Sequence, residues 1–293
     1  MNPVFLDGKF GTTSDMTVSV LDRGYLFGDG VYEVYRVYGD RPFTRDLHLA
    51  RLGRSLEGLQ LKLPYAWPEF ETILDQVQAK SPADSYIYIH VTRGVAERRH
   101  SFPEEPRPSV MVMAVPLAPF VPAMFKNGVG LLSQTDDRWL HCNIKSLNLL
   151  ANCMAMTRAN RAGCFEALLV GQDGLVNESG ASSYFTVVDG VLRTAPLTRN
   201  ILPGVTRHVL LDLARQHGVP CLEEAVTLEQ ALSAPEAFIS NSVFEVLPVA
   251  TIDGRRLSGD VPGPLTLQMM KLFAAKVKAE TGHDAVCYSA LRS

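Results

Sequence analysis

Residues 31–38 read VYEVYRVY, a β-branched and aromatic run with a period of two. A strand built this way puts Tyr32, Val34, Arg36 and Tyr38 on one face, and Glu33, Tyr35 and Val37 on the other. Further on, the apolar spacing lengthens to three and four. Leu49, Leu52, Leu56 and Leu59 make one helical stripe, with Asp46 as its expected cap. Phe70, Ile73, Leu74 and Val77 make a second, starting near Pro68. Residues 86–92 and 109–115 read as strands, with the polar loop RGVAERRHSFPEEPRPS between them. PLAPFVPAMFKNG then brings three prolines, which remove backbone donors and fix φ. The pattern predicts a smaller α/β domain over residues 1–117, a linker over 118–130 and a larger domain over 131–293.

In the second half, Ser146 is a candidate cap for a helix carrying Leu147, Leu150 and Met154, which Gly163 ends. Short strands follow at about 165–170, 175–178, 183–188 and 191–194, with Asp-Gly turns at 173–174 and 189–190. LPGVTRHVLLDLARQHG reads as a turn opening a helix that stops at Gly218. Thr227 and Gln230 suit a capping box, and FISNSVFEVLPV reads as strand, turn, strand. A terminal helix over 264–281 has Met269, Met270, Phe273 and Val277 on its apolar side. The fold class these elements predict is α+β, with mixed helices and strands in two domains.

Composition narrows the function classes. The 293 residues are 46% hydrophobic and 20% charged with a net charge of −3, which is ordinary globular material. No basic block supplies the footprint of a nucleic-acid binder. No export signal or membrane-length apolar run is present, so a soluble cytoplasmic protein is expected. Five cysteines, none in a CxxC pair, and histidines without an HxxxH spacing predict neither a disulfide framework nor a metal site.

The candidate chemistry starts with a lysine. The chain has eight lysines, and Lys145 alone sits in an apolar junction, HCNIKSLNLL. Burial disfavours the charged form of a lysine, and the neutral amine attacks carbonyl carbon. A side chain that keeps its ammonium in solvent would look the same in sequence. Glu178 follows an Asp-Gly turn and reads equally as a hairpin carboxylate. Gly204, Val205 and Thr206 open a helix whose free N–H groups suit an anion, as many helix starts do. Asn241 and Ser242 at a strand-end turn offer further donors. Arg51 could grip a phosphate in a two-pronged way or be surface charge. Arg93, Arg98, Arg99 and His100 crowd one loop, which could hold a carboxylate or simply be solvated.

The order of these motifs is more specific than any one of them. DRGYLFGDGVYEV at 22–34, VTRGVAERRHSFP at 91–103, NIKSLNLL at 143–150, and NESG leading to LPGVTR at 202–207 together resemble the fold-type IV pyridoxal-phosphate enzymes. That family includes branched-chain aminotransferases, D-amino-acid aminotransferases and aminodeoxychorismate lyases, and the chain looks most similar to the D-amino-acid type. The resemblance implies a pyridoxal 5'-phosphate cofactor in Schiff-base linkage to Lys145, with Glu178 on the pyridine nitrogen and Arg51 on the phosphate. It implies Leu202 against the ring, and Val205, Thr206 and Ser242 around the phosphate, beside which Asn241 is a further candidate donor. Tyr32, Arg98 and His100 match the trap for the substrate α-carboxylate, and the strand phase adds Val34 and Arg36 to that side. Because Arg98 and His100 reach in from a partner subunit in that family, the resemblance also implies a homodimer. The expected reaction exchanges an amino group between a D-amino acid, such as D-alanine, and a 2-oxo acid, such as 2-oxoglutarate.

Three positions depart from the usual pattern. SNSVFEV differs from the Ser/Thr-rich turn common in D-amino-acid aminotransferases and resembles the lyases. Ser183 stands where asparagine is frequent, and Asn143 where aspartate is. A lyase releasing pyruvate from aminodeoxychorismate and a branched-chain L-amino-acid aminotransferase are therefore the alternative readings. An (R)-amine aminotransferase is disfavoured, since an amine without a carboxylate has no use for Arg98.

Overall fold

In the computed structural model, which describes residues 1–81 and 83–292, the VYEVYRVY run lies in a strand, Gly30–Tyr38. This strand is β3 of a six-stranded antiparallel sheet. The others are β1 (Pro3–Leu6), β2 (Lys9–Thr12), β4 (Arg41–Pro42), β5 (Ser85–Thr92) and β6 (Ser109–Pro116), in the order β2-β1-β6-β5-β3-β4. The odd residues Val31, Tyr35 and Val37 are buried with Ile87, Ile89, Val91, Val110 and Val112 from the neighbouring strands. After the short α1 (Arg23–Phe27), two helices contribute to the same core. These are α2 (Arg45–Gly58), through Leu49, Leu52 and Leu56, and α3 (Trp67–Gln78), through Phe70, Ile73, Leu74 and Val77. Each such side chain taken from water contributes roughly 1.5–3 kcal/mol, so the stripes legible in the sequence are what hold this unit together.

A second sheet has nine strands. They are β7 (Val129–Thr135), β8 (Glu166–Val170), β9 (Val176–Ser179), β10 (Ser183–Val188), β11 (Val191–Thr194), β12 (Cys221–Glu223), β13 (Glu236–Asn241), β14 (Glu245–Ile252) and β15 (Arg255–Arg256). The order is β12-β11-β10-β13-β14-β7-β8-β9, with β15 pairing β14. The pairs β11–β12, β14–β7 and β7–β8 are parallel. Phe185 of β10 and Phe238 of β13 stack with centroids 4.7 Å apart. The helices of this unit are α4 (Pro122–Asn127), α5 (Leu150–Arg161), α6 (Val205–Gln216), α7 (Leu228–Ser233), α8 (Pro264–Thr281) and α9 (Val286–Arg292). The capping box at Thr227 and Gln230 is formed in both directions, and α8 buries Met269, Met270, Phe273 and Val277. Among the described residues no helix is long and apolar enough to cross a membrane.

Contacts divide the chain into two compact units. One comprises Met1–Ala118 with Ile144–Asn148, and the other Pro119–Asn143 with Leu149–Ser293. The stretch 118–130, expected as a linker, holds α4 and enters β7. Two expected caps are corrected. Asp46 lies in the first turn of α2, because the chain turns earlier, at Thr44 with φ of 50°. Ser146 does not cap α5, because residues around it are bonded to β3: Tyr32 N–H donates to the Lys145 carbonyl at 2.9 Å, and Leu147 N–H to that of Gly30 at 3.0 Å. The helix therefore begins at Leu150. Its inward residues are Ala155 and Ala159, while Leu150 and Met154, read as its apolar face, are exposed.

Candidate active site

Lys145 belongs to the first unit although the chain on both sides of Ile144–Asn148 belongs to the second. Its backbone N–H donates to Ser55 Oγ of α2 at 3.1 Å and its carbonyl takes the Tyr32 N–H, so the residue is clamped between a helix and a strand. Its Nζ lies 4.0 Å from the centroid of the Tyr32 ring. No hydrogen bond or ion pair holds that amine among the described residues. Tyr32 in turn packs on Tyr88 at 5.8 Å, and Tyr88 on His90 at 5.9 Å. Burial pushes the Tyr88 phenol up to about 12 and the His90 imidazole below its ordinary range.

The opposite face of β3 carries a buried charge cluster. Arg51 donates to Glu33 from Nε at 2.9 Å and from Nη2 at 2.5 Å, and His48 Nδ1 lies 2.9 Å from the same carboxylate. Burial alone would raise the Glu33 pKa, but Arg51 and His48 outweigh it and hold the carboxyl well below the usual range. A phosphate could take Nε and Nη2 together only by displacing Glu33. Val34 is half-buried, and Arg36 is buried with its guanidinium 4.3 Å from the Tyr38 ring.

The loop after β5 is anchored by arginines and presents others. Arg93 is fully buried, donates to Asp29, Leu59 and Gln60, and lies 3.6 Å from the Phe102 ring centroid. Arg23 shares Asp29 and donates to the Arg99 carbonyl at 2.6 Å. Gly94 adopts φ of 81°, and a Cβ there would strike the Arg107 carbonyl. From this base Arg98 and His100 emerge exposed, each against Phe27, at 5.5 Å and 5.9 Å. Neither has an acidic partner among the described residues.

In the second unit Glu178 of β9 is 3% exposed. Its Oε1 accepts from Arg138 Nη1 at 2.6 Å and from the Leu202 N–H at 3.2 Å, whereas Oε2 accepts no hydrogen bond among the described residues. Burial pushes this carboxyl above its ordinary range, opposed by Arg138. Burial also works against the Arg138 charge, but Asp136 and Glu178 more than compensate and keep it protonated. Asn177 completes the group by donating to Asp136 at 2.8 Å. Cys142, beside this cluster, is pushed up to about 11, mainly by burial.

Leu202 leads through Gly204 into α6, whose first residues, Val205 and Thr206, are buried. Ser183 lies close by, since a Cβ on Gly204 would come within 2.7 Å of its Oγ. Asn241 accepts from the N–H groups of Val243 and Phe244 and donates to Ser182 Oγ at 3.3 Å. Ser242 is half-buried, and its hydroxyl makes no hydrogen bond among the described residues. Ser182 donates to Glu166, a β8 carboxyl that burial pushes up to about 7.

Sequence reading missed Glu33, His48, Ser55, Asp136, Arg138 and Glu166. Glu33 had a signal, as a lone charge on an otherwise apolar strand face. Arg138 and Glu166 had none, because their partners lie 40 and 15 residues away in the chain.

The sequence profile of the class IV amino-transferases matches residues 30–252. The chain is 38% identical over 279 residues to the D-alanine aminotransferase of Bacillus licheniformis, covering 95% of this chain and 98% of that one. It is similar in structure to the branched-chain aminotransferase of Thermoproteus uzoniensis with norvaline, with a TM-score of 0.83 at 29% identity over 96% and 95% of the two chains. A hypothetical aminotransferase from Mycobacterium tuberculosis in its PLP-bound form shares the fold, with a TM-score of 0.83 at 23% identity over 95% and 99% of the two chains. The profile takes in Arg51, Lys145, Glu178, the start of α6 and the 241–244 turn in one continuous match, and the chain belongs to the class IV aminotransferases.

Proposed function

We propose that the chain is a pyridoxal 5'-phosphate-dependent D-amino-acid:2-oxo-acid aminotransferase, acting as a homodimer in the cytoplasm, with Lys145 as the cofactor lysine. The observation that carries the D-amino-acid reading is the exposed pair Arg98 and His100, two donors without an acidic partner among the described residues, on a loop braced by Arg93. They suit a substrate carboxylate. Their exposure fits service to a partner subunit's substrate. The kinship to the D-alanine aminotransferase of Bacillus licheniformis supports the same donor class.

The residues present fit the cofactor. An amine tied into no ion pair suits carbonyl chemistry, and Lys145 has one. A buried carboxyl with an open oxygen suits a cationic ring nitrogen, because a positive donor offsets its desolvation, and Glu178 Oε2 is open. When bound, pyridoxal phosphate supplies an electron sink for the pair of electrons left as the α-proton departs. Lys145 Nζ is then the base that removes that proton and later returns one. Glu178, steadied by Arg138, keeps the ring nitrogen protonated. Val205, Thr206 and Ser242 offer donors to the phosphate, and Leu202 an apolar contact for the ring. Tyr32, with Val34 and Arg36 on its side of β3, lines the substrate space, which the partner subunit's Arg98 and His100 complete.

Asn241, which motivated the lyase reading, spends its side chain on closing its own turn and on Ser182. That accounts for asparagine there without any appeal to a different reaction. Initial rates with D-alanine and with L-leucine, each paired with 2-oxoglutarate, test the proposal. D-alanine should be turned over, and turnover of L-leucine alone would refute it. Pyruvate released from aminodeoxychorismate without an amino acceptor would move the assignment to the lyases.

A further inference from the structure

One buried carboxyl, Glu166, has no part in the reaction described above. It is 1% exposed, and its two oxygens are used differently. Oε1 accepts the Ala181 N–H at 2.6 Å, and Oε2 accepts the Ser182 hydroxyl proton at 2.9 Å. Ser182 Oγ in turn accepts from Asn241 Nδ2 at 3.3 Å. The donors run in one direction, from amide to hydroxyl to carboxylate. Asn241 Oδ1, at the head of this chain, accepts from Val243 N at 2.9 Å and Phe244 N at 3.0 Å, which closes the turn around Ser242. The far end of the turn is fixed as well, since Glu245 accepts the N–H groups of Val286 at 2.9 Å and Cys287 at 2.7 Å. Beside it, the Ser240 hydroxyl is buried without a hydrogen-bond partner among the described residues.

We propose that Glu166 and Ser182 are positioning residues for the cofactor phosphate, holding the 241–244 turn through Asn241 so that Ser242 is presented in one orientation. The inference rests on the reading that this turn seats the phosphate. A hydroxyl donates usefully to an anion only if its backbone is held, and among the described residues the Asn241 side chain is otherwise bonded only within its own turn. The Glu166 carboxylate is the fixed end, because it is set in β8 beneath the loop that carries Ala181 and Ser182.

The test compares full-length wild type, Ser182→Ala and Glu166→Gln by equilibrium dialysis against graded pyridoxal phosphate, and separately against pyridoxal, which has no phosphate. Ser182→Ala should weaken pyridoxal phosphate by about three- to tenfold, the worth of one hydrogen bond, and leave pyridoxal affinity unchanged. At pH 8, above the value of about 7 to which burial pushes Glu166, Glu166→Gln keeps an acceptor for Ala181 but no longer takes the Ser182 proton, and should give a smaller loss of the same phosphate-dependent kind. Wild-type phosphate affinity in Ser182→Ala, or equal loss for both ligands, would overturn the proposal. If the wild type itself binds pyridoxal as tightly as pyridoxal phosphate, the reading of the turn as a phosphate seat fails along with it.

Discussion

At the scale of single residues, the chemistry depends on charges that burial would otherwise suppress. Glu178 is buried against the Arg138 guanidinium, which offsets part of the cost of burying its carboxyl. Replacing Arg138 with alanine leaves Glu178 and Asp136 buried without their cation, and removing one partner of such a pair costs about 3–5 kcal/mol. Urea unfolding of Arg138→Ala should show a loss of that order, and an unchanged midpoint would contradict the pairing. Glu166 makes a pH prediction with the opposite sign from an ordinary ion-paired carboxylate. Its pKa rises from 4.5 to about 7 on folding, so the folded chain holds this proton more tightly than the unfolded one. The stabilisation is complete below pH 4.5, is lost as pH rises through about 7, and is on the order of 3 kcal/mol. Glu166→Gln should therefore lose less stability than wild type between pH 5 and pH 8, as read by thermal unfolding. An equal slope in both proteins would sink the assignment.

At the scale of elements, much was legible because periodicity is a local property. The strand phase read from 31–38 is the one observed, with Tyr35 and Val37 in the core and Tyr32 on the other face beside Lys145 Nζ. The start of α5 was not legible. Ser146 looks like a cap in sequence, but the hydrogen bonds of Ile144–Asn148 to β3 and Ser55 pre-empt it, and those bonds span about 90 or more residues. The loop bearing Arg98 and His100 depends on Gly94, whose φ of 81° and proximity to the Arg107 carbonyl exclude a side chain. Gly94→Ala should displace the loop and raise the Michaelis constant for the amino acid several-fold more than it lowers kcat. A fall in kcat alone would place the loop's role elsewhere.

For the whole molecule, sequence identified the family through the order of its motifs, and the sequence profile matched the same span. The charge partners of Glu178 and of Arg51 were hidden, since Arg138 with Glu178 and Arg51 with Glu33 each form only once the sheet that carries them assembles. The proposed homodimer has its own test. If Arg98 serves the partner's substrate, mixing inactive Lys145→Ala with Arg98→Ala and allowing subunits to exchange should restore about a quarter of wild-type activity, because half the dimers are mixed and each has one intact site. No recovery after verified exchange would place Arg98 in the same subunit as the Lys145 it serves.

The proposed function turns most on Lys145, which sequence marked as a lysine in an unusual junction and the structure clamps between α2 and β3. Borohydride reduction of the pyridoxal-phosphate-loaded protein, followed by peptide mass mapping, tests it most directly. The prediction is one pyridoxyl group per chain, carried by the peptide containing Lys145, and none in Lys145→Ala. A pyridoxyl group on any other lysine in place of Lys145, or no adduct at all, would contradict it.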